Sequence, residues 1–284
     1  MRLIRHGDIG SERPGVILAE GRMIDVSAEF PSFDEVFFAS GGIDLLRSWI
    51  VAGCHNSAVI NGGARLAAPI DRPSKIICVG KNYADHAKEF GGGVPDEPVL
   101  FMKASSAYCG PNDDVILPPG CDKLDYEVEL AVVIGKACRR VTENEAINHI
   151  AGYTIICDYS ERAWQNEHSG QWVKGKSSDT FAPLGPCMVT TDELTDTADL
   201  SLWSKVNGES RQNGRSSDMI FSVPFLVSYI SRFMTLLPGD VIATGTPGGV
   251  GMGYSPPRYL SAGDQVEQGI EGIGSMCQWV SMDD

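Results

Sequence analysis

The chain has 284 residues, 43% of them hydrophobic, which is enough to bury one large core or a large core with a small partner and argues against disorder. Its formal charge of −14 repels phosphate backbones and anionic lipids, and no lysine–arginine cluster reverses that locally, so neither nucleic acid nor a membrane is an expected partner. Glycine at 32 positions and proline at 16, spread along the length, favour many short strands and turns, hence a mostly β, α+β protein rather than a helical bundle.

The apolar runs, such as Leu130 to Ile134, fall far short of the roughly 20 residues a membrane helix needs. The first ten residues carry two arginines but turn polar before an apolar stretch develops, so no secretory signal is expected and the cytoplasm is the default compartment. Eight cysteines without a C-x-x-C pair suggest neither a zinc knuckle nor a disulfide framework, and most read as small core residues.

Residues 1–68 read as a small N-terminal domain, because Ala67-Ala68-Pro69-Ile70-Asp71-Arg72-Pro73 is a proline-punctuated linker before an apolar strand, Lys75 to Val79. Residues 69–284 form the larger domain and carry nearly all the chemistry-bearing features. His86 and Glu89 lie three apart, so on a helical turn they share a face and the carboxylate can orient the imidazole to take a proton from water. An exposed helix with an incidental histidine would read the same way. Gly91-Gly92-Gly93 follows directly, a flexible stretch suited to a lid.

In Asp125-Tyr126-Glu127-Val128-Glu129-Leu130-Ala131-Val132-Val133-Ile134 the period of a strand places Asp125, Glu127 and Glu129 on one face. Carboxylates that close repel, and burying them requires protons or a cation. All-oxygen ligands select a hard ion, Mg²⁺ or else Mn²⁺ or Ca²⁺, over zinc. Asp158, ending the apolar strand Tyr153 to Cys157, is the candidate third ligand beside Glu127 and Glu129. A solvated strand face is the alternative meaning of the same pattern. Thr142 with Glu145 forms a capping box opening a short helix toward Ile150. Leu200 to Val206, Asn207-Gly208 and Glu209 to Gln212 spell a hairpin with a type I′ turn. After Pro224, the spacing of Phe225, Leu226, Tyr229, Ile230 and Phe233 predicts a helix that Leu237-Pro238-Gly239-Asp240 ends before the strand Val241 to Thr244. Thr246 lies in a glycine-rich loop whose hydroxyl and backbone N–H groups could grip a carboxylate, with Thr244 the weaker candidate. No G-x-G-x-x-G, Walker A, G-x-S-x-G or H-E-x-x-H motif is present.

From about Lys75 to Val280 the chain resembles the fumarylacetoacetate hydrolase family. The matching segments occur in order: Gly80-Lys81-Asn82-Tyr83-Ala84-Asp85-His86, Glu97-Pro98-Val99-Leu100-Phe101-Met102-Lys103, the acidic strand, Asp158-Tyr159-Ser160-Glu161-Arg162-Ala163-Trp164-Gln165, Gly175-Lys176-Ser177, and Thr244-Gly245-Thr246-Pro247-Gly248-Gly249-Val250-Gly251. The resemblance implies a mixed β-roll with a small N-terminal α/β domain, usually dimeric. It implies metal ligation by Glu127, Glu129 and Asp158, an acid/base dyad of His86 and Glu89, a positioning lysine at Lys176 and a glutamine, Gln165, that holds the reacting oxygen. Gly245, Thr246, Tyr83 and Arg162 are the implied substrate contacts. Glu161 stands where relatives often carry a small residue. With the run Pro256-Pro257-Arg258, the variant looks most like the 2,4-diketo-3-deoxy-sugar-acid hydrolases, a group close to sequences labelled ureidoglycolate lyase. The implied reaction is Mg²⁺-dependent C–C cleavage of a small diketo acid to release pyruvate, with decarboxylation or tautomerisation of a 2-oxo diacid as the alternative.

Overall fold

A computed structural model of the protein describes residues 1–54, 57–89 and 93–283. It begins with three short antiparallel strands, β1 (Arg2–His6), β2 (Arg13–Ile17) and β3 (Met23–Asp25), followed by α1 (Glu35–Ala39), α2 (Gly42–Val51) and β4 (Leu66–Ala67). Asp34 caps α1 by accepting the Phe37 N–H, and α1 buries Phe37 and Phe38 beside Phe33. Next come β5 (Ile76–Gly80), α3 (Ala84–Glu89), β6 (Val99–Lys103), β7 (Tyr108–Cys109), β8 (Val115–Leu117), β9 (Leu124–Asp125) and β10 (Val128–Ile134). They are followed by α4 (Glu143–Ala146), β11 (Ile150–Cys157), β12 (Ser160–Glu161), α5 (Arg162–Asn166), α6 (Val173–Lys176) and β13 (Ala182–Thr190). The chain closes through β14 (Ser201–Val206), β15 (Glu209–Arg215), α7 (Val223–Ile230), β16 (Val241–Ala243), β17 (Gln265–Ile270) and β18 (Gly274–Met282).

The main sheet runs β3-β2-β1-β13-β11-β10-β16-β5-β6, with β4 on β1 and β7 on β13. The N-terminal strands therefore extend the sheet that carries the acidic motifs, through antiparallel pairing of β1 with β13. β10 and β11 are buried along their whole length, which is why they read as near-continuous apolar runs. The second sheet, β15-β14-β17-β18-β8, alternates instead: Leu202, Ser204 and Val206 are buried while Lys205 between them faces out. The architecture is mostly β and mixed, as expected. Among the described residues no helix is long and apolar enough to cross a membrane. All eight cysteines are free, and Cys78, Cys138, Cys157 and Cys187 are buried.

The hairpin turn has Asn207 at φ 52° and Gly208 at φ 77°, the two left-handed residues a type I′ turn needs, and the Thr142–Glu145 capping box forms. Two expectations fail. The acidic segment is not one strand: β9 pairs with β12, Tyr126 N–H turns back onto Asp125 Oδ1, and the long strand starts only at Val128. Asp125 thereby leaves the face shared by Glu127 and Glu129. The helix after Pro224 stops at Ile230, well short of Leu237. Ser231 ends it because its carbonyl accepts the Arg140 N–H and its hydroxyl accepts the Val141 N–H, drawing the chain aside to pair Leu236 with Cys138. Phe233 is left exposed. The Gly91-Gly92 portion of the expected lid lies outside the described residues.

Where β11 crosses β13, Gly152 faces Thr190, and a Cβ at Gly152 would lie 2.3 Å from the Val189 carbonyl oxygen. Neither backbone can yield without breaking the ladder. Gly152→Ala should cost about 1–3 kcal/mol, as overpacking does. A thermal scan should then show the apparent Tm falling by roughly 2–5 °C. A parent-like Tm would show that the crossing relaxes at no cost.

Candidate functional site

Strand register builds the acidic cluster. Val128 faces Cys157 across β10 and β11, and the Asp158 N–H donates to the Glu127 carbonyl at 2.9 Å, so the first residues of one strand meet the end of the other. Glu127, Glu129 and Asp158 are all buried, with one carboxylate oxygen from each lying within 4.8 Å of the others. Three cations from three separate segments offset this charge. Lys176, closing α6, donates to Glu127 Oε2 at 2.9 Å and to Asp158 Oδ2 at 2.7 Å. Lys103, ending β6, donates to the other Asp158 oxygen at 2.5 Å and to the Tyr159 carbonyl at 2.9 Å. Arg162, opening α5, reaches Glu127 Oε1 at 2.7 Å, Asp125 Oδ2 at 2.9 Å and Gln165 Oε1 at 3.0 Å.

The charges are unevenly compensated. Burial opposes ionisation of Glu127, but Lys176, Arg162 and His86 outweigh it and hold its carboxyl below the ordinary range. Burial likewise opposes the Lys176 ammonium, yet Asp158 and Glu127 prevail and push it up to about 12. Glu129 receives the Gly245 N–H at 2.7 Å but forms no ion pair with a lysine or arginine among the described residues. Burial first, then Asp158 and Glu127, push its carboxyl well above the ordinary range. An all-carboxylate cluster in which one member lacks a cation fits a hard divalent ion, and Glu127, Glu129 and Asp158 are the residues that would hold it.

His86 and Glu89 share a face of α3, and His86 Nδ1 lies 3.1 Å from Glu89 Oε2. An ionised Glu89 can only accept, which places the proton on Nδ1 and leaves Nε2 as the basic nitrogen. Nε2 lies 3.7 Å from Glu127 Oε1. The second Glu89 oxygen accepts the Gly249 N–H at 2.7 Å. His86 of the dyad and Glu127 and Glu129 of the triad line one cleft, whose walls include Gly80, Lys81, Phe101, Trp172 and Thr246, with Asp158 and Glu89 behind them. Gln165 and Lys176 also line it. Phe101 and Trp172 meet edge to face at 5.1 Å between centroids, and Lys176 Nζ lies 4.9 Å over the Phe101 ring.

Of the four implied substrate contacts, Thr246 lines the cleft, and the polar groups of all four face the protein itself. Arg162 is buried behind Glu127, its donors on Asp125, Glu127 and Gln165, and it does not line the cleft. Tyr83 is also absent from the lining. Its hydroxyl is buried with no hydrogen-bond partner among the described residues, and burial pushes its ionisation far up. The Gly245 N–H is taken by Glu129. Thr246 Oγ1 donates to the Val128 carbonyl at 2.8 Å, and Thr244 Oγ1 to that of Leu130. The glycine-rich loop does grip carboxylates, but they are the protein's own: Glu129, Glu89, and Asp125, which accepts the Gly251 and Met252 N–H groups. Glu161 is a helix cap, accepting the N–H groups of Trp164 and Lys123.

Sequence reasoning assigned no role to Lys103. Its signal was an ammonium at the end of an apolar run, Val99 to Met102, where a fully buried lysine implies a buried acid opposite. Asp125 gave no usable signal, since only the break in the ladder separates it from the triad.

A family model for the fumarylacetoacetate hydrolase C-terminal region matches residues 75–281. A Burkholderia multivorans protein described as a hydrolase is 48% identical over 279 residues, 98% of each chain. The crystal structure of a 5-carboxymethyl-2-hydroxymuconate delta-isomerase from Mycobacterium smegmatis is similar at 38% identity and a TM-score of 0.79 over 100% of both chains. A maleylpyruvate hydrolase from Sphingobium sp. SYK-6 is similar at 31% identity and a TM-score of 0.82, again over 100% of both chains. The chain belongs to the fumarylacetoacetate hydrolase family, whose members include hydrolases and isomerases.

Proposed function

We propose that this protein is a divalent-metal-dependent hydrolase that cleaves the C–C bond of a small 2,4-diketo acid, an acylpyruvate or a 2,4-diketo-3-deoxy sugar acid, and releases pyruvate. The observation that carries the reading is the meeting of a buried three-carboxylate cluster with an imidazole whose Nε2 lies 3.7 Å from Glu127 Oε1, His86, Glu127 and Glu129 lining one cleft. A divalent ion on Glu127, Glu129 and Asp158, Mg²⁺ being the first choice, supplies positive charge to the 2-oxo acid end of the substrate as negative charge develops there. His86 Nε2 takes a proton from water, and the Glu89 carboxylate, fixed by the Gly249 N–H, steadies the imidazolium that forms. The hydroxide attacks the distal carbonyl, the bond between C3 and C4 breaks, and the proton passes back to the departing carbon. Lys176 and Gln165 stabilise the charged oxygens from the wall of the cleft, and Phe101 and Trp172 keep bulk water from the acyl side. The similarity to a maleylpyruvate hydrolase supports an acylpyruvate.

A second reading, isomerisation of a 2-hydroxymuconate-type acid, is favoured by the similarity to a delta-isomerase and needs only proton transfer at the same site. Loss of diketone absorbance with stoichiometric pyruvate marks hydrolysis, whereas an absorbance change without pyruvate marks isomerisation.

The metal assignment makes unequal demands on two glutamates. Glu129→Gln alters the one triad carboxylate that pairs with no lysine or arginine among the described residues, so the fold should survive while Mn²⁺ and Mg²⁺ affinity falls at least tenfold in calorimetry. Glu127→Ala should also lose the ion, but it takes from Lys176 and Arg162 one of the two buried carboxylates that each pairs with, so its thermal stability should fall below that of Glu129→Gln. Parent-like affinity in Glu129→Gln would remove it from the ligand set.

The base assignment separates binding from chemistry. His86→Ala should keep metal and oxalate affinity yet lose acylpyruvate hydrolysis by roughly 10²–10⁴, the usual worth of a general base. Glu89→Gln should fall between, since the imidazole remains but its orienting charge is gone. Oxaloacetate decarboxylation, which needs no attacking water, should suffer less than hydrolysis in His86→Ala. Undiminished hydrolysis by His86→Ala would exclude it as the base.

A further inference from the structure

The two glutamates of the triad flank a single residue, Val128, so the orientation of that one residue's backbone sets how both carboxylates point. On the β11 side the Glu127 carbonyl accepts the Asp158 N–H, and in an antiparallel ladder the next residue's N–H and C=O then face the opposite side. A strand should lie there. β16 pairs with β10 only at Ala131, Val132 and Val133, and beyond Ala243 it diverges into the glycine-rich loop. The backbone that carries the two candidate ligands is therefore left without a neighbouring strand on the cleft side.

Side chains fill the gap. The Val128 N–H donates to Gln212 Oε1 at 3.1 Å, and the Val128 carbonyl accepts Thr246 Oγ1 at 2.8 Å. Gln212 joins these two halves: its Nε2 donates to Thr246 Oγ1 at 2.7 Å and to the Pro247 carbonyl at 2.8 Å, while Ser204 Oγ donates to its Oε1 at 3.0 Å. Both lone pairs of the amide oxygen and both N–H groups are used, with no solvent contact at all. The amide cannot be reversed. The Val128 N–H can only donate and the Pro247 carbonyl can only accept, so the partners themselves fix which end is oxygen.

We propose that Gln212, a residue of the second sheet that touches neither ligand side chain nor substrate, is a positioning residue for the metal centre: it replaces the missing strand opposite Val128 and thereby holds Glu127 and Glu129 at ligand spacing. The inference rests on the metal reading above. Loss of the amide leaves the Val128 N–H buried and unpaired and frees Thr246 to rotate, so the peptides on either side of Val128 can turn and the two carboxylates spread.

The test is a calorimetric titration of the full chain with Mn²⁺ alone, beside thermal scans. Gln212→Met keeps the length and volume but not the bonds. Ser231→Ala is the matched lesion, since it also removes a side-chain acceptor from a backbone N–H, that of Val141, on a segment remote from the triad. Both variants should lose Tm, but only Gln212→Met should weaken Mn²⁺ binding, by tenfold or more, with Ser231→Ala within twofold of the parent. If Gln212→Met fails to fold, Gln212→Asn takes its place, because it keeps an amide in the slot yet is one methylene too short to reach Val128 and Pro247 together. Parent-like Mn²⁺ affinity in the Gln212 variant overturns the inference, and so does an equal loss in Ser231→Ala. A parent that binds no Mn²⁺ overturns the metal reading itself, which a parent that binds while the variant binds equally does not.

Discussion

Mutual repulsion of buried carboxylates is the constraint around which the rest of the molecule is arranged. Two like charges 4 Å apart cost about 4 kcal/mol at an effective dielectric of 20. Three such pairs would consume most of a typical fold stability of about 5–15 kcal/mol. Glu127, Glu129 and Asp158 approach that closely with almost no solvent to screen them. Lys103 from an edge strand, Arg162 from the start of one short helix and Lys176 from the end of another converge on the same few ångströms. The topology that brings β6, β10 and β11 into one sheet, with α5 and α6 following β11 after the short β12, delivers countercharge to charge.

The glycine-rich loop answers the same constraint with dipoles rather than ions. Its N–H groups go to Glu129, Glu89 and Asp125, the carboxylates that belong respectively to the triad, the dyad and the support behind Arg162. Such close approach needs residues without side chains: a Cβ on Gly253 would sit 2.6 Å from Glu89 Oε1. One loop thus ties the base-orienting carboxylate to the metal-facing one. A displacement of the loop would disturb both, so the acid/base and the metal functions are mechanically linked through a segment that supplies few side chains of its own.

How much of this the sequence disclosed depended on whether the deciding interaction was local. Glu127, Glu129, Asp158, His86 and Glu89 were legible because strand period, strand end and helix spacing are short-range signals, and the ordered motifs reinforced them. The type I′ hairpin and the capping box were legible for the same reason. Asp125 was misassigned because nothing in its own segment announces that β9 pairs with β12. The end of α7 was missed because its stop comes from Arg140 and Val141, some ninety residues earlier in the chain. Arg162 resembles a substrate contact in the motif, yet its guanidinium is spent on Asp125, Glu127 and Gln165. Gln212 lay at the end of a correctly read hairpin and gave no sign of its role, since its four partners come from β10, β14 and the loop after β16.

The charge balance of the inner cluster suits the chemistry proposed for it. With all four ionised, Asp125, Glu127, Glu129 and Asp158 stand against Lys103, Arg162 and Lys176 and leave one negative charge in excess, Glu129 being the carboxylate with no lysine or arginine partner among the described residues. A divalent cation converts that deficit into one net positive charge, and a monoanionic 2-oxo acid then restores neutrality. A cluster with one more lysine would already be neutral and would hold a divalent ion weakly, while one with a cation fewer would be neutral once the ion is bound and would lose its attraction for the acid that follows. The fixed cations serve structure, and the single unbalanced carboxylate is left for the ligand.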